Sequence, residues 1–166
     1  NHFGIMAIVG IGLGLSALIG HNLGAKKIER ARKTANQALS LGFGIMIGVA
    51  LIAIIFARQI VGAFFDDPEI ISDGIVLLQI MALGFPFLGI HIIVGNVFGG
   101  AGENRPAMFA HMIHAWVLEV PAVYLMVGVF GLGPLAAWWS ITGAAALSAI
   151  GFYLYFRRGK WLDVEV

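Results

Sequence analysis

The stretch His111-Met-Ile-His114-Ala-Trp-Val-Leu-Glu119-Val-Pro121-Ala-Val-Tyr124 sets a carboxylate in the middle of an apolar run, and its reading decides the fold. Between residues 106 and 130 the only Asp, Glu, Lys or Arg is Glu119. About 20 mainly apolar residues are what a helix needs to cross the hydrocarbon of a bilayer. An ionised acid halfway along such a helix costs roughly 2.5 kcal/mol or more unless it is paired, hydrated or protonated, which makes Glu119 a functional candidate by position alone. Pro121 adds to this. It has no N–H for the carbonyl of Val117 and so leaves a polar backbone group free about one turn from the acid.

Composition supports the membrane reading across the rest of the chain. Of the 166 residues, 60% are hydrophobic and 11% charged, with a mean hydropathy of +0.93; soluble domains carry about 25% charged residues. The formal net charge of +1 is uninformative, because in a membrane protein the position of each charge matters more than the sum. The lack of cysteine excludes a disulfide frame, a thiolate metal site and a thiol nucleophile. The sequence opens at Asn1 and enters the apolar run Phe3-Gly-Ile-Met6 with no basic segment before it. That start reads as an internal stretch of a longer protein rather than a signal peptide.

Five segments are long and apolar enough to span, roughly 3–22, 35–57, 72–97, 107–130 and 134–156, and the expected fold is an all-α polytopic transmembrane bundle. The pairs Gly10/Gly14, Gly44/Gly48 and Gly95/Gly99 have the spacing that lets helix backbones approach closely. The links at 24–33 and 99–105 are expected on the cytoplasmic side. Asp67 is positioned to cap the third span, with Pro68 in its first turn. Four and five join through Gly131-Leu-Gly-Pro134. The chain then ends on Arg157-Arg-Gly-Lys160-Trp161, a basic stop with an aromatic expected at the interface. Nine of the ten Lys and Arg residues fall after spans one, three and five, and only Arg58 falls on the other side. By the positive-inside rule the nine-residue side, and with it the C-terminus, is cytoplasmic.

These links resemble those of a known family. Gly20-His-Asn-Leu-Gly-Ala-Lys-Lys-Ile-Glu-Arg-Ala31 resembles the "GxxLGAGxxERA" link of the multidrug and toxic compound extrusion (MATE) family, and Gly100-Ala-Gly-Glu-Asn-Arg-Pro106 its "GAGDTRTP" link. Phe65-Asp-Asp-Pro-Glu69 matches the external turn "FTDDPEV", and Leu83-Gly-Phe-Pro-Phe87 the motif "LGLPF". Trp116, Pro121, Tyr124, Trp138, Trp139 and the Phe156–Trp161 ending look more like the C-terminal of that family's two six-helix lobes, which would make the chain helices eight to twelve of twelve. The resemblance implies a secondary antiporter of the cell membrane that expels small organic, often cationic, compounds by alternating access, driven by Na⁺ or H⁺. Its implied partners are membrane lipid, the organic substrate and the N-terminal lobe of the same chain; neither a cofactor nor nucleic acid is expected. There is one departure. A branch of the family carries an acid close after the proline of this lobe's fourth helix, whereas Pro86 is followed by Phe87, Leu88 and Gly89.

Among the polar residues, Glu119 is the candidate for ion coupling: protonated it is cheap to bury, and ionised it can hold a cation. The alternative is an acid that only fixes packing. His91 and His114 are expected to meet across the hairpin hinged at 99–105, as a pH-sensing pair or as satisfied packing histidines. In an α-helix His114 and Glu119 point about 140° apart and lie ~7.5 Å apart along the axis, so no shared ion and no metal site is expected. Gln79, Asn96 and Tyr124 are candidates for lining a cavity, with helix-to-helix hydrogen bonding as the plainer reading. Met6, Met46, Met81, Met108, Met112 and Met126 could present an adaptable apolar surface. Pro86 and Pro121 are hinge candidates near mid-span.

Two other functions compete with efflux. A lipid-linked saccharide flippase of the same wider superfamily would need a basic cavity, and the spans hold no Lys or Arg. An intramembrane enzyme would need a nucleophile with its base, and Ser16, Ser40, Ser140 and Ser148 have no acid or histidine suitably spaced on their own helices.

Overall fold

The computed structural model describes the backbone of residues 2–162, and side chains for residue 10 and residues 12–162; Asn1 and the Met6 side chain lie outside the described residues. Helices dominate in the order the hydropathy predicts: α1 (His2–Gly24), α2 (Ile28–Ile55), a short α3 (Ala57–Gly62) and α4 (Pro68–Gly100). After a turn come α5 (Arg105–Met112), a π-helical stretch (Ile113–Glu119), α6 (Val120–Val123) and a second π-helical stretch (Tyr124–Val129), which together form one span. The chain closes with α7 (Pro134–Arg157) and a 3₁₀ turn at Lys160–Leu162. Among the described residues, the segments Ile28–Ile55, Pro68–Gly100, Arg105–Val129 and Pro134–Arg157 are each long and apolar enough to cross a membrane.

Local chemistry sets the element ends. Asp67 accepts a hydrogen bond from the Glu69 backbone N–H at 2.9 Å and Pro68 takes the first helical position, so α4 starts where the sequence places its cap. The 24–33 link is shorter than expected. The chain turns only at residues 25–27, and Glu29, Arg30, Arg32 and Lys33 are already helical, which leaves their charges on the first turns of α2. The other link turns at Gly102, whose φ of +78° lies in the left-handed region that a residue with a Cβ enters only at a cost.

α4 is the hub, touching α1, α2, α3, α5 and α7. Its buried face of Ile93, Val94, Val97 and Phe98 packs with Leu15, Ile19 and Leu23 of α1, Ala31 and Ala35 of α2 and Phe152 and Phe156 of α7. Trp161 joins this cluster. It is 1% exposed and stacked on Phe156 at 5.6 Å, so the aromatic of the basic end packs into the bundle. Because Leu23, Ala31, Ala101 and Leu162 share the cluster, the three basic segments gather at one end of the bundle.

The small-residue spacing of Gly10/Gly14 and Gly44/Gly48 does not mark contacts, since a Cβ added at any of the four would meet nothing within 4 Å. The close approach is elsewhere. At Gly20 an added Cβ would stand 3.0 Å from the Gly100 carbonyl oxygen, so α1 and α4 cross backbone to backbone. Interhelical hydrogen bonds supplement the packing: Thr142 donates to the Ile80 carbonyl at 3.2 Å and Gln79 to the Ile54 carbonyl at 3.5 Å.

Candidate functional site

The span Arg105–Val129 departs from α geometry where the sequence places its polar residues. In Ile113–Glu119 the ladder runs from residue i to i+5, as in the Val120 N–H bond to the Ala115 carbonyl. Such π stretches are rare and cluster at functional sites. Pro121 follows directly, and a second π stretch lies beyond α6. With no N–H to donate and a ring that crowds the carbonyl four residues back, proline disfavours the ordinary ladder there. The wider register carries the consequence. Residues five apart now share a face, and His114 Nε2 stands 3.2 Å from Glu119 Oε2. This overturns the α-helical expectation that the two side chains diverge, and it supplies the partner that the mid-span acid needs.

His114 in turn belongs to a cluster. His91 of α4 is 5% exposed, and its ring centroid lies 5.4 Å from that of His111, 5.7 Å from that of His114 and 5.6 Å from that of Phe152 on α7. His91 and His114 therefore meet across the hairpin as the sequence predicts, and His111 completes a trio. Both ring nitrogens of His91 and Nδ1 of His114 are buried without a hydrogen-bond partner among the described residues. An unmet buried polar atom costs about 1–3 kcal/mol, and Trp161 Nε1 in the core is in the same position. No three His, Cys, Asp or Glu side chains among the described residues are placed to hold a metal ion.

A 370 Å³ cavity leads into this cluster from the basic end. Its lining runs from Asn104 and Gly99 near the α4–α5 turn, past Asn96, to His91 and His111. Asn96 lines this cavity and gives its amide N–H to the Ile92 carbonyl of its own helix at 2.8 Å, in place of the helix-to-helix bond expected of it. Gln79 is engaged by the Ile54 carbonyl and lies on the α2–α4 seam. Tyr124 is 67% exposed and opens the second π stretch. Pro86 sits inside an α4 that continues through it. Sequence reasoning missed His111 as a member of the trio. Its three-residue spacing from His114 was visible, but which face of the span turns toward His91 was not.

A second, larger hollow of 560 Å³ lies between α5, the first π stretch and α7, with Glu103 and Arg105 at its basic end and an otherwise mostly apolar lining that includes Phe109, Ile113 and Leu147.

Known proteins share this fold. The chain is 27% identical to the probable multidrug resistance protein NorM of Thermotoga maritima over 94% of its own length and 34% of that protein. It is 29% identical to the multidrug resistance protein MdtK of Proteus mirabilis, over 90% of this chain and 34% of that one. The chain thus spans about a third of the length of the curated relatives it matches. Among solved structures, one described as MATE in the straight conformation superposes with a TM-score of 0.89 at 23% identity, covering 98% of this chain and 36% of that one. An inward-facing multidrug resistance MATE family transporter gives 0.87 at 21% identity, covering 98% and 38%. The MatE family model matches residues 1–125, from α1 through the π-helical stretch, the His91–His114–Glu119 cluster and Tyr124. The fold, the matched span and the relatives agree: this chain belongs to the MatE family of multi-pass membrane proteins.

Proposed function

We propose that the chain is part of a secondary antiporter of the cell membrane that exports small organic, often cationic, compounds against an inward flow of Na⁺ or H⁺. The relatives' names, as multidrug resistance proteins, support the substrate class. The observation that carries the coupling role is the Glu119–His114 pair, a carboxylate and an imidazole 3.2 Å apart and about midway along an apolar span. An ionised Glu119 is held by a cationic neighbour or a bound cation, and a protonated one tolerates the hydrocarbon; exchange between these states gives an ion control over which conformation is favoured. Rocking of this lobe against the second lobe of the full-length protein would then expose the substrate site to each side in turn. The basic end and the C-terminus face the cytoplasm in this proposal, following the positive-inside rule. Pro121, between two π stretches, is the hinge it favours.

The test is Glu119→Gln in the full-length transporter. Efflux of a cationic dye should fall about tenfold, in the range typical of a lost coupling free energy, with the amount of inserted protein unchanged. Efflux at the wild-type rate would remove Glu119 from the mechanism.

A further inference from the structure

We infer that His114, His91 and His111, together with the 370 Å³ cavity, form a proton path between Glu119 and the basic end of the bundle. The inference deepens the proposed function by naming the proton as the ion handled at Glu119, and it rests on that reading only for the direction of net flow. Four observations carry it. Glu119 touches His114, and His114 and His111 both flank the buried His91 at ring separations of 5.7 and 5.4 Å, a gap that a ring rotation or one bridging water closes. Three of the ring nitrogens are buried without partners, which leaves both sides of His91 free to accept a proton at one nitrogen and release one from the other. His91 and His111 both line the cavity that reaches the α4–α5 turn at Asn104. Finally, the surroundings are free of competing charge. The faces packed on this stretch come from α4 and α7, and residues 74–100 and 134–156 contain no Asp, Glu, Lys or Arg. Apart from the tyrosines Tyr153 and Tyr155 of α7, the titratable groups on these stretches are the three histidines and Glu119, and Phe152 closes the α7 side.

The geometry also sets the length of the path. At 1.5 Å per residue His111 lies about 9 Å, and Glu119 roughly 20 Å, from Arg105 along the span. The ladder thus joins mid-span to the depth at which the cavity lined by His111 and Asn104 begins. In each step the proton on the Glu119 carboxyl passes to His114 Nε2, leaving a carboxylate. His114 then gives up its Nδ1 proton toward His91, and His91 passes one on to His111, the exposed member of the trio, which releases it into the cavity. One proton leaves Glu119 and one enters water at the basic end, with no other reactant. A sodium ion has no use for such a ladder, because neutral imidazoles with their N–H groups turned inward offer it few oxygens.

The test follows the infrared C=O stretch of protonated Glu119 in the full-length protein in nanodiscs after a pH jump, the band being assigned by its loss in Glu119→Gln. His114→Gln and His91→Gln should slow its response roughly tenfold or more, as expected when a proton-transfer group is removed. His91→Ala, which enlarges the cavity, should recover with added imidazole, a rescue that a packing role would not give. A band in the histidine variants that follows the jump as fast as in wild type overturns the path, and so does the lack of any protonated-carboxyl band lost in Glu119→Gln. Dye efflux under imposed H⁺ or Na⁺ gradients is read in parallel. A slowed band with no wild-type efflux in either gradient would sink the transport reading and leave the path standing; efflux driven by Na⁺ alone, with the proton clamped, would overturn the proton as the coupling ion.

Discussion

A carboxylate in hydrocarbon needs a partner, and Glu119 finds one five residues upstream on its own chain. The pair is intrahelical, so it survives any movement of one helix against another. His91 is different, since it meets the pair from α4 and loses it if the hairpin opens. A single side chain also fixes where α4 begins. Asp67 accepts from the Glu69 N–H in an exposed turn, and Asp67→Ala should lower stability by about 1 kcal/mol with dye efflux retained. Thermal unfolding in detergent, compared with Asp67→Asn, checks this; an equal loss in both variants would argue against the side-chain cap, because asparagine caps as well as aspartate.

Among elements, the span Arg105–Val129 is the one whose form departs from sequence expectation. Hydropathy marked its ends, and the paired links 24–33 and 99–105 marked its neighbours, because burial in lipid is a property of composition and length. The π register was not legible in the same way. It depends on how Pro121 and the packing of α7 trade one hydrogen-bond pattern for another, and α and π ladders differ by one residue per turn with no difference in composition. The error had a specific result: 100° per residue turned Glu119 away from His114, when in fact they touch. Likewise His91 and His114 could be placed at one depth from the hairpin alone, whereas His111 needed the rotation of the span. The π stretch carries its own prediction. It behaves as one residue inserted into an α-helix, so deleting Val117 should return the ladder to i→i+4, keep His114 and Glu119 on one face at four-residue spacing, and leave a folded protein. Deleting Ala145 in α7 should rotate all that follows by about 100° and abolish folding. Size-exclusion chromatography of fluorescently tagged protein in detergent separates the two, and equal losses would refute the insertion reading.

At the scale of the molecule, nine of the ten Lys and Arg residues gather at one end, and the buried cluster of Leu23, Ala31, Ala101, Trp161 and Leu162 ties their segments together. If that end faces the cytoplasm, Ile28→Cys and Glu103→Cys in the full-length protein should resist a membrane-impermeant thiol reagent applied outside intact cells, while Asp67→Cys should react. The reverse pattern would invert the whole arrangement, including the direction of any proton flow through the histidines.

The meeting of Gly20 with Gly100 gives this assembly a mechanical property. Side chains wedged between two helices can change rotamer and let the helices slip past each other, but bare backbones in contact have no such slack. α1 and α4 are therefore riveted near the basic end and free to splay only toward the opposite end, so the bundle should open like tongs, with its fulcrum close to the surface that carries most of its positive charge.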